Sequence, residues 1–164
     1  MTLKDFIIRE IRPEDNIEVA RLIRKVLIEF DVPKSGTAYE DIETDKMYET
    51  YENILGNYYI IEYEGRIAGG AGYSTLKGAD KKICELQKMY FLPIIRGKGL
   101  GSKLINHCLK NARKDGYEKC YLETMPYMKS ARLLYKKNGF KNLDKPIGNT
   151  GHFSCNVWML KELV

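Results

Sequence analysis

Between Arg96 and Leu104 the chain reads RGKGLGSKL, with three glycines and three cations in nine residues. Glycine lacks the Cβ that blocks left-handed turns, so backbone N–H groups there can approach a ligand closely. A helix that starts at such a turn adds its unpaired N–H groups and the positive end of its dipole. The chemistry this suits is the binding of a phosphate or pyrophosphate, by Arg96, Gly97, Lys98, Gly99, Leu100, Gly101 and Ser102. The plainer reading is an ordinary loop between a strand and a helix, and glycine spacing alone does not separate the two. The spacing does exclude two nucleotide motifs. A P-loop needs GxxxxGK[ST], which no glycine here begins. The dinucleotide pattern GxGxxG fails from Gly97, where Ser102 stands at the third position, and from Gly99, where Leu104 does.

Other reactive side chains are scattered. Cys84, Cys108, Cys120 and Cys155 are far apart in sequence, and His107 and His152 are the only histidines. With no Cys/His cluster and no secretion signal, neither a zinc site nor a disulfide framework is expected. The net charge of +5 is unevenly distributed. Between Thr37 and Leu55 stand Glu40, Asp41, Glu43, Asp45, Glu49 and Glu52 against Lys46 alone, so the remainder is strongly basic. The basic part suits an anionic ligand. The acidic part suits a cationic one, or is simply a solvated helix surface. The lysines lack regular aromatic interleaving, which argues against a nucleic-acid partner.

These groups need elements to position them. The 164 residues, 44% hydrophobic and 30% charged, predict one globular domain spanning residues 1–164. No apolar run approaches the roughly 20 residues of a membrane span, and the N-terminus lacks a signal-peptide pattern. A cytoplasmic protein without a membrane partner is expected. Strands are predicted at Lys4–Ile11 and in a hairpin around Glu64-Gly65-Arg66. Further strands are predicted from Lys81 to Pro93, from Tyr117 to Met125, and over the final segment that carries His152, Cys155 and Trp158. Helices are predicted after Pro13, with Ile17, Ala20, Leu22, Ile23, Val26 and Leu27 inward, and over Thr44–Leu55. Two more follow, one from the glycine stretch to about Asp115 and one over Lys129–Phe140. A short extra strand at Phe140–Leu143 is an option. The β–α–β passage from Lys82 to Met125 favours a parallel pair with a right-handed crossover. The fold class is therefore α/β (α+β), a mixed sheet of six to seven strands with helices on both faces.

Two stretches then carry a resemblance. MYFLPIIRGKGLGSKLI resembles the acetyl-CoA-binding motif of the GNAT superfamily of N-acetyltransferases, Arg/Gln-x-x-Gly-x-Gly/Ala, at Arg96, Gly99 and Gly101. SARLLYKKNGF resembles that family's later helix at Ala131, Leu134, Tyr135, Gly139 and Phe140. One position departs: Met128 stands where many members carry a cofactor-binding Asn.

The resemblance implies a GNAT-like fold with splayed parallel strands. It also implies transfer of an acetyl group from acetyl-CoA to a primary amine of a small molecule or peptide, by direct attack in a ternary complex and without a metal. It implies that the backbone of Met89, Tyr90 and Phe91 pairs with the pantetheine arm, and that Tyr135 acts as general acid toward the departing thiolate. Glu85 becomes the candidate base, directly or through water. Glu123 and His152 become candidate acceptor contacts, and the acidic segment would line the acceptor cleft. Cys155 as nucleophile is disfavoured because the sequence offers no group to orient a base against it. The competing reading is a non-catalytic acyl-CoA-binding regulatory module, which would use the glycine motif without Tyr135 or Glu85. Monomer and homodimer both remain open.

Overall fold

A computed structural model describes residues 5–164 of the chain. Its strands are β1 (Phe6–Glu10), β2 (Gly56–Tyr63), β3 (Arg66–Thr75), β4 (Ile83–Phe91), β5 (Lys119–Thr124), β6 (Lys141–Leu143) and β7 (Val157–Glu162). Its α-helices are α1 (Asn16–Glu29), α2 (Met47–Glu52), α3 (Leu100–Lys114) and α4 (Lys129–Lys137). All seven strands form one sheet in the order β1-β2-β3-β4-β5-β7-β6. Only the β4–β5 pair is parallel. The predicted mixed sheet and the optional short strand are both present. Lys4, the expected start of the first strand, lies outside the described residues.

The sheet has a core on each face because β2 alternates its buried side chains. Tyr58 and Ile60 pack with Val19, Leu22, Ile23, Val26 and Leu27 of α1 and with Met47 and Tyr51 of α2. Tyr59 and Ile61 face the other way, into the cluster holding Leu104, Ile105, Cys108 and Ala112 of α3. Val19 takes the inward position expected of Ile17, which is 69% exposed. The β2–β3 turn places Glu64 and Gly65 at φ of 48° and 74°, a pair of left-handed residues that matches strand twist.

Two irregularities in β4 shape the site. On its β5 side, pairing covers Ile83–Lys119, Cys84–Cys120 and Glu85–Tyr121 and then stops, although both strands continue. The strands splay there, as the resemblance implied. On its β3 side the register shifts between Gly70 and Gly72, which pair with Tyr90 and Gln87. Lys88 and Met89 thus stand opposite Ala71 alone, a β-bulge. Lys88 takes the left-handed φ of 48°.

Two expected elements are corrected. The second helix is broken into a 3-10 turn at Ile42–Asp45 and α2, because Lys46 leaves helical geometry (φ −134°, ψ 47°). The last strand begins at Val157, so His152 and Cys155 lie in the loop before it. The ladder explains this: β5 ends at Thr124, whose partner is Val157, so earlier residues have no strand to pair with. The loop bonds elsewhere instead, with Ser154 N–H donating to Gly36 O (3.3 Å) and Ser154 Oγ to Ser35 O (2.7 Å). No helix among the described residues is long and apolar enough to cross a membrane.

Candidate active site

The glycine stretch forms the turn into α3. Gly97 and Gly99 adopt left-handed φ of 72° and 76°, and Gly99 is the residue from which α3 starts. Gly101 serves another purpose: a Cβ there would stand 2.5 Å from Leu134 Cδ2, so its absence lets α3 and α4 pack closely. No acidic residue lies in the first turn of α3. Its first N–H groups have no intrahelical acceptor, which makes this end a site for anionic oxygens. The hydroxyl of Ser102 accepts a hydrogen bond from Asn138 Nδ2 (3.1 Å), tying this turn to the end of α4.

Arg96 behaves differently from a cradle cation. Its guanidinium donates to both oxygens of Glu29 (2.7 and 2.8 Å) and twice to Phe91 O (3.0 and 2.7 Å), beside the Phe30 ring. It clamps the end of α1 to the end of β4. Lys98 Nζ donates to Ile94 O (2.9 Å). The anion-binding capacity of this turn therefore lies mainly in backbone N–H groups, with the cations fixing the turn.

From the splay, a cleft of about 470 Å³ runs between β4 and β5. Met89, Tyr90, Tyr135, Glu85, Glu123 and His152 all line it. Six residues singled out in the sequence thus converge, drawn from β4, β5, α4 and the loop before β7, whereas Phe91 and the glycine stretch are not among the lining residues.

Tyr135 is 7% exposed, and burial pushes its phenol pKa well up, so it stays protonated. Its hydroxyl hydrogen-bonds no other described residue and remains available to a ligand. Met128 caps α4 and also lines the cleft, placing a thioether where a side-chain amide was the family expectation.

Glu85 is buried, at 8% exposure. Burial raises its pKa, the Gln87 hydrogen bond opposes this, and the Glu123 charge raises it further. Gln87 Nε2 donates to Glu85 Oε1 (2.8 Å). Gln87 is itself oriented by the Tyr51 hydroxyl and by Ser74 Oγ (3.1 Å), both donating to its carbonyl oxygen. Glu123 lies two residues beyond Glu85's register partner Tyr121, so the two carboxylates share a face of the splayed pair. Glu123 accepts from Tyr121 Oη (2.7 Å) and from the Thr150 hydroxyl. Both carboxylates are held by neutral donors, which suits them to receive a ligand ammonium.

At the far end of the cleft, His152 Nε2 lies 2.7 Å from Asp41 Oδ2. This contact raises the histidine's pKa against the opposing effect of burial. Of the six acidic residues in the 37–55 segment, Asp41 and Glu43 line the cleft. Asp45 instead pairs with Arg24 (2.5 Å) and Glu49 with Asn16 (2.7 Å), away from it. Cys155 also lines the cleft, but burial pushes its thiol up to about 12, so it carries little thiolate at neutral pH. Among the described residues, no group of three or more His, Cys, Asp or Glu could hold a metal.

Sequence reasoning missed Lys88, Gln87, Tyr51 and Thr150. Lys88 lines the cleft with a side chain only 7% exposed. Its burial follows from the bulge and from the fold of residues 41–43, and neither leaves a local signal in the sequence.

A seven-stranded sheet opened at its parallel pair, with a glycine turn and helix N-terminus following β4 and a buried phenol lining the opening, fits a transferase of the acyl-CoA-using kind. The chain belongs to the Acetyltransferase (GNAT) family, which matches residues 24–140. It is thus an acetyl-CoA-dependent acyltransferase. It is 43% identical to the uncharacterized N-acetyltransferase YjgM of Escherichia coli K12, over 96% of this chain and 95% of that one. Its fold resembles a GNAT-family acetyltransferase from Staphylococcus aureus Mu50, with a TM-score of 0.87, 21% identity, and coverage of 97% of this chain and 99% of the other. It also resembles YncA from Salmonella typhimurium, solved with its cofactor acetyl-CoA, with a TM-score of 0.77, 18% identity, and coverage of 98% and 95%.

Proposed function

We propose that the protein moves the acetyl group of acetyl-CoA to a primary amine by direct attack, with both substrates bound together. One observation carries this reading: the cleft at the splay is lined by both Tyr135 and Glu85, and the first turn of α3 packs at Gly101 against Leu134, the residue before Tyr135. The backbone N–H groups from Gly97 to Ser102 would hold the pyrophosphate. The β5-facing edge of β4 beyond Glu85 has no strand partner and would pair with the pantetheine arm along Met89–Phe91. Backbone donors on that edge would polarise the thioester carbonyl, an effect worth about 3 kcal/mol in comparable sites.

Glu85 would take a proton from the acceptor's ammonium, directly or through one water, leaving the neutral amine to attack. A raised carboxylate pKa suits this work, because it brings the base closer to the amine's own pKa of about 10.4. Tyr135 would give a proton to the leaving sulfur and be restored by the second proton that the nitrogen releases as the amide forms. Glu123 would hold the ammonium before it loses its proton. Two results test the reading together: CoA should raise the melting temperature, and free thiol should appear from acetyl-CoA on addition of an amine. Stabilisation by CoA with no thiol released across amines, amino acids, aminoglycosides and peptides would leave a binding module instead.

A further inference from the structure

The part of the cleft around His152 carries cations as well as acids. Lys77, Lys88 and His152 line it together with Asp41 and Glu43. These five form one network: His152 and Lys88 on Asp41, Lys77 and Lys88 on Glu43. Within it Lys88 stands apart. Its side chain is 7% exposed, yet neither carboxylate approaches its ammonium closer than 3.3 Å, the other being at 3.7 Å. Elsewhere the charge pairs of partly buried side chains close to between 2.5 and 2.8 Å. The remaining loose pairs are on more exposed lysines, Lys77 and Lys119. Asp41 makes its short contact with His152 instead.

An ammonium has three donors and no acceptor. One that is buried and only loosely held can take a further anionic oxygen. The backbone supports such a function, since Lys88 occupies a left-handed conformation at a bulge. A non-glycine residue there is strained, and such strain persists where the surrounding structure enforces it. The Tyr58 hydroxyl helps enforce it by donating to Lys88 O (2.8 Å).

The two ends of the acceptor region are therefore complementary to two different groups. Glu85 and Glu123, held by neutral donors, suit an ammonium. Lys88 suits an acid. The geometry points to an acceptor that carries a carboxylate several bonds from its reactive amine, with Lys88 as the residue that selects for it. Lys88 follows Glu85 by three residues on β4, at roughly 3.3 Å per residue less the bulge. That span fits an ω-amino acid or a dipeptide better than an acceptor with one carbon between the groups. A polyamine would bring a second cation to a cluster whose carboxylates, Asp41 and Glu43, are already engaged by His152, Lys88 and Lys77, which disfavours it.

This inference rests on the proposed acetyl transfer to an amine, and one experiment separates the two. Thiol release is measured with ω-amino acids of increasing length and with dipeptides, each against its carboxamide, and with diamines and spermidine. Lys88→Gly keeps a backbone suited to the left-handed turn and removes the ammonium, whereas Lys88→Arg keeps the charge. Stabilisation by CoA confirms that each variant is folded. The expected result is a kcat/KM ratio of acid to carboxamide of about tenfold or more in the wild type. It should fall to near one in Lys88→Gly and be largely kept in Lys88→Arg. Carboxamides or diamines serving as well as the acids would overturn the inference and leave the transferase reading intact, and the wild type alone decides this. An acid preference that survives in folded Lys88→Gly would overturn the role of Lys88. Thiol release with no amine at all would overturn both readings.

Discussion

The proposed donor and acceptor halves of the site are built from different materials. The donor half is backbone: a left-handed turn at Gly97 and Gly99, the N–H groups that open α3, and an unpartnered edge of β4. Its conspicuous cation, Arg96, holds Glu29 and Phe91 O and acts as a clamp. The acceptor half is side chains: Glu85, Lys88, Glu123 and the Asp41–His152 pair, drawn from two strands and two loops. A site made of backbone groups depends little on which side chains surround it. A side-chain site is where one relative can differ from another.

The comparison can be broken at its reacting centre first. Tyr135→Phe removes the proposed proton donor without disturbing either half. We expect kcat to fall by about 10²-fold or more, with acetyl-CoA affinity by calorimetry nearly unchanged. Unchanged turnover would remove the acid role. Glu85→Gln should lower kcat/KM by about 10²-fold at neutral pH. Because burial raises the Glu85 pKa, the wild-type rate should fall as pH drops through a value above the usual carboxylate range of about 4. That acid limb should be missing in Glu85→Gln, and a profile matching wild type would exclude the base assignment.

Smaller effects separate the halves. Gly99→Ala places a Cβ at φ 76°, at about 1–2 kcal/mol for a left-handed residue. Acetyl-CoA affinity should weaken roughly tenfold on that account, while discrimination among amines is preserved. A changed amine preference would show that the halves are not independent.

The smallest effect concerns the loop before β7. His152→Gln should lower stability by about 1 kcal/mol, in a pH-dependent way. The Asp41 contact raises the folded pKa of His152. Its stabilisation is therefore complete below the unfolded value of about 6.5 and is lost as pH rises through the higher folded value. The folded pKa of Asp41 is lowered, its carboxylate charge opposed by burial and favoured by His152 and Lys88. Its part is present above about 3.9 and lost as pH falls below that. The melting-temperature gap between wild type and variant should therefore be widest near pH 5–6 and close as the solution turns alkaline.

The same contrast explains what the sequence revealed. The donor half rests on two short runs, so RGKGLGSKL and the tyrosine helix announced it; the β–α–β order gave the parallel pair, and the family resemblance implied its splay. Even so, the role of Arg96 depended on Glu29, 67 residues away. The acceptor half has no such run. Glu85 and Glu123 were found through the strands that carry them. His152 was singled out but placed on a strand, because the partners of its loop, Asp41 for His152 and Ser35 and Gly36 for Ser154, lie over a hundred residues earlier. The acidic segment looked uniform, yet Lys46 breaks its helix and Arg24 draws Asp45 outward, leaving Asp41 and Glu43 at the cleft. Lys88 left no sign at all, since a bulge decides which way its side chain goes.

Direct attack in a ternary complex is the central claim, and an initial-rate matrix in acetyl-CoA and amine tests it most directly. Reciprocal plots that intersect, together with no acetylated Cys155 in the intact mass of enzyme held with acetyl-CoA alone, are the result expected here. Parallel lines, with an acetyl group retained on the protein, would contradict it.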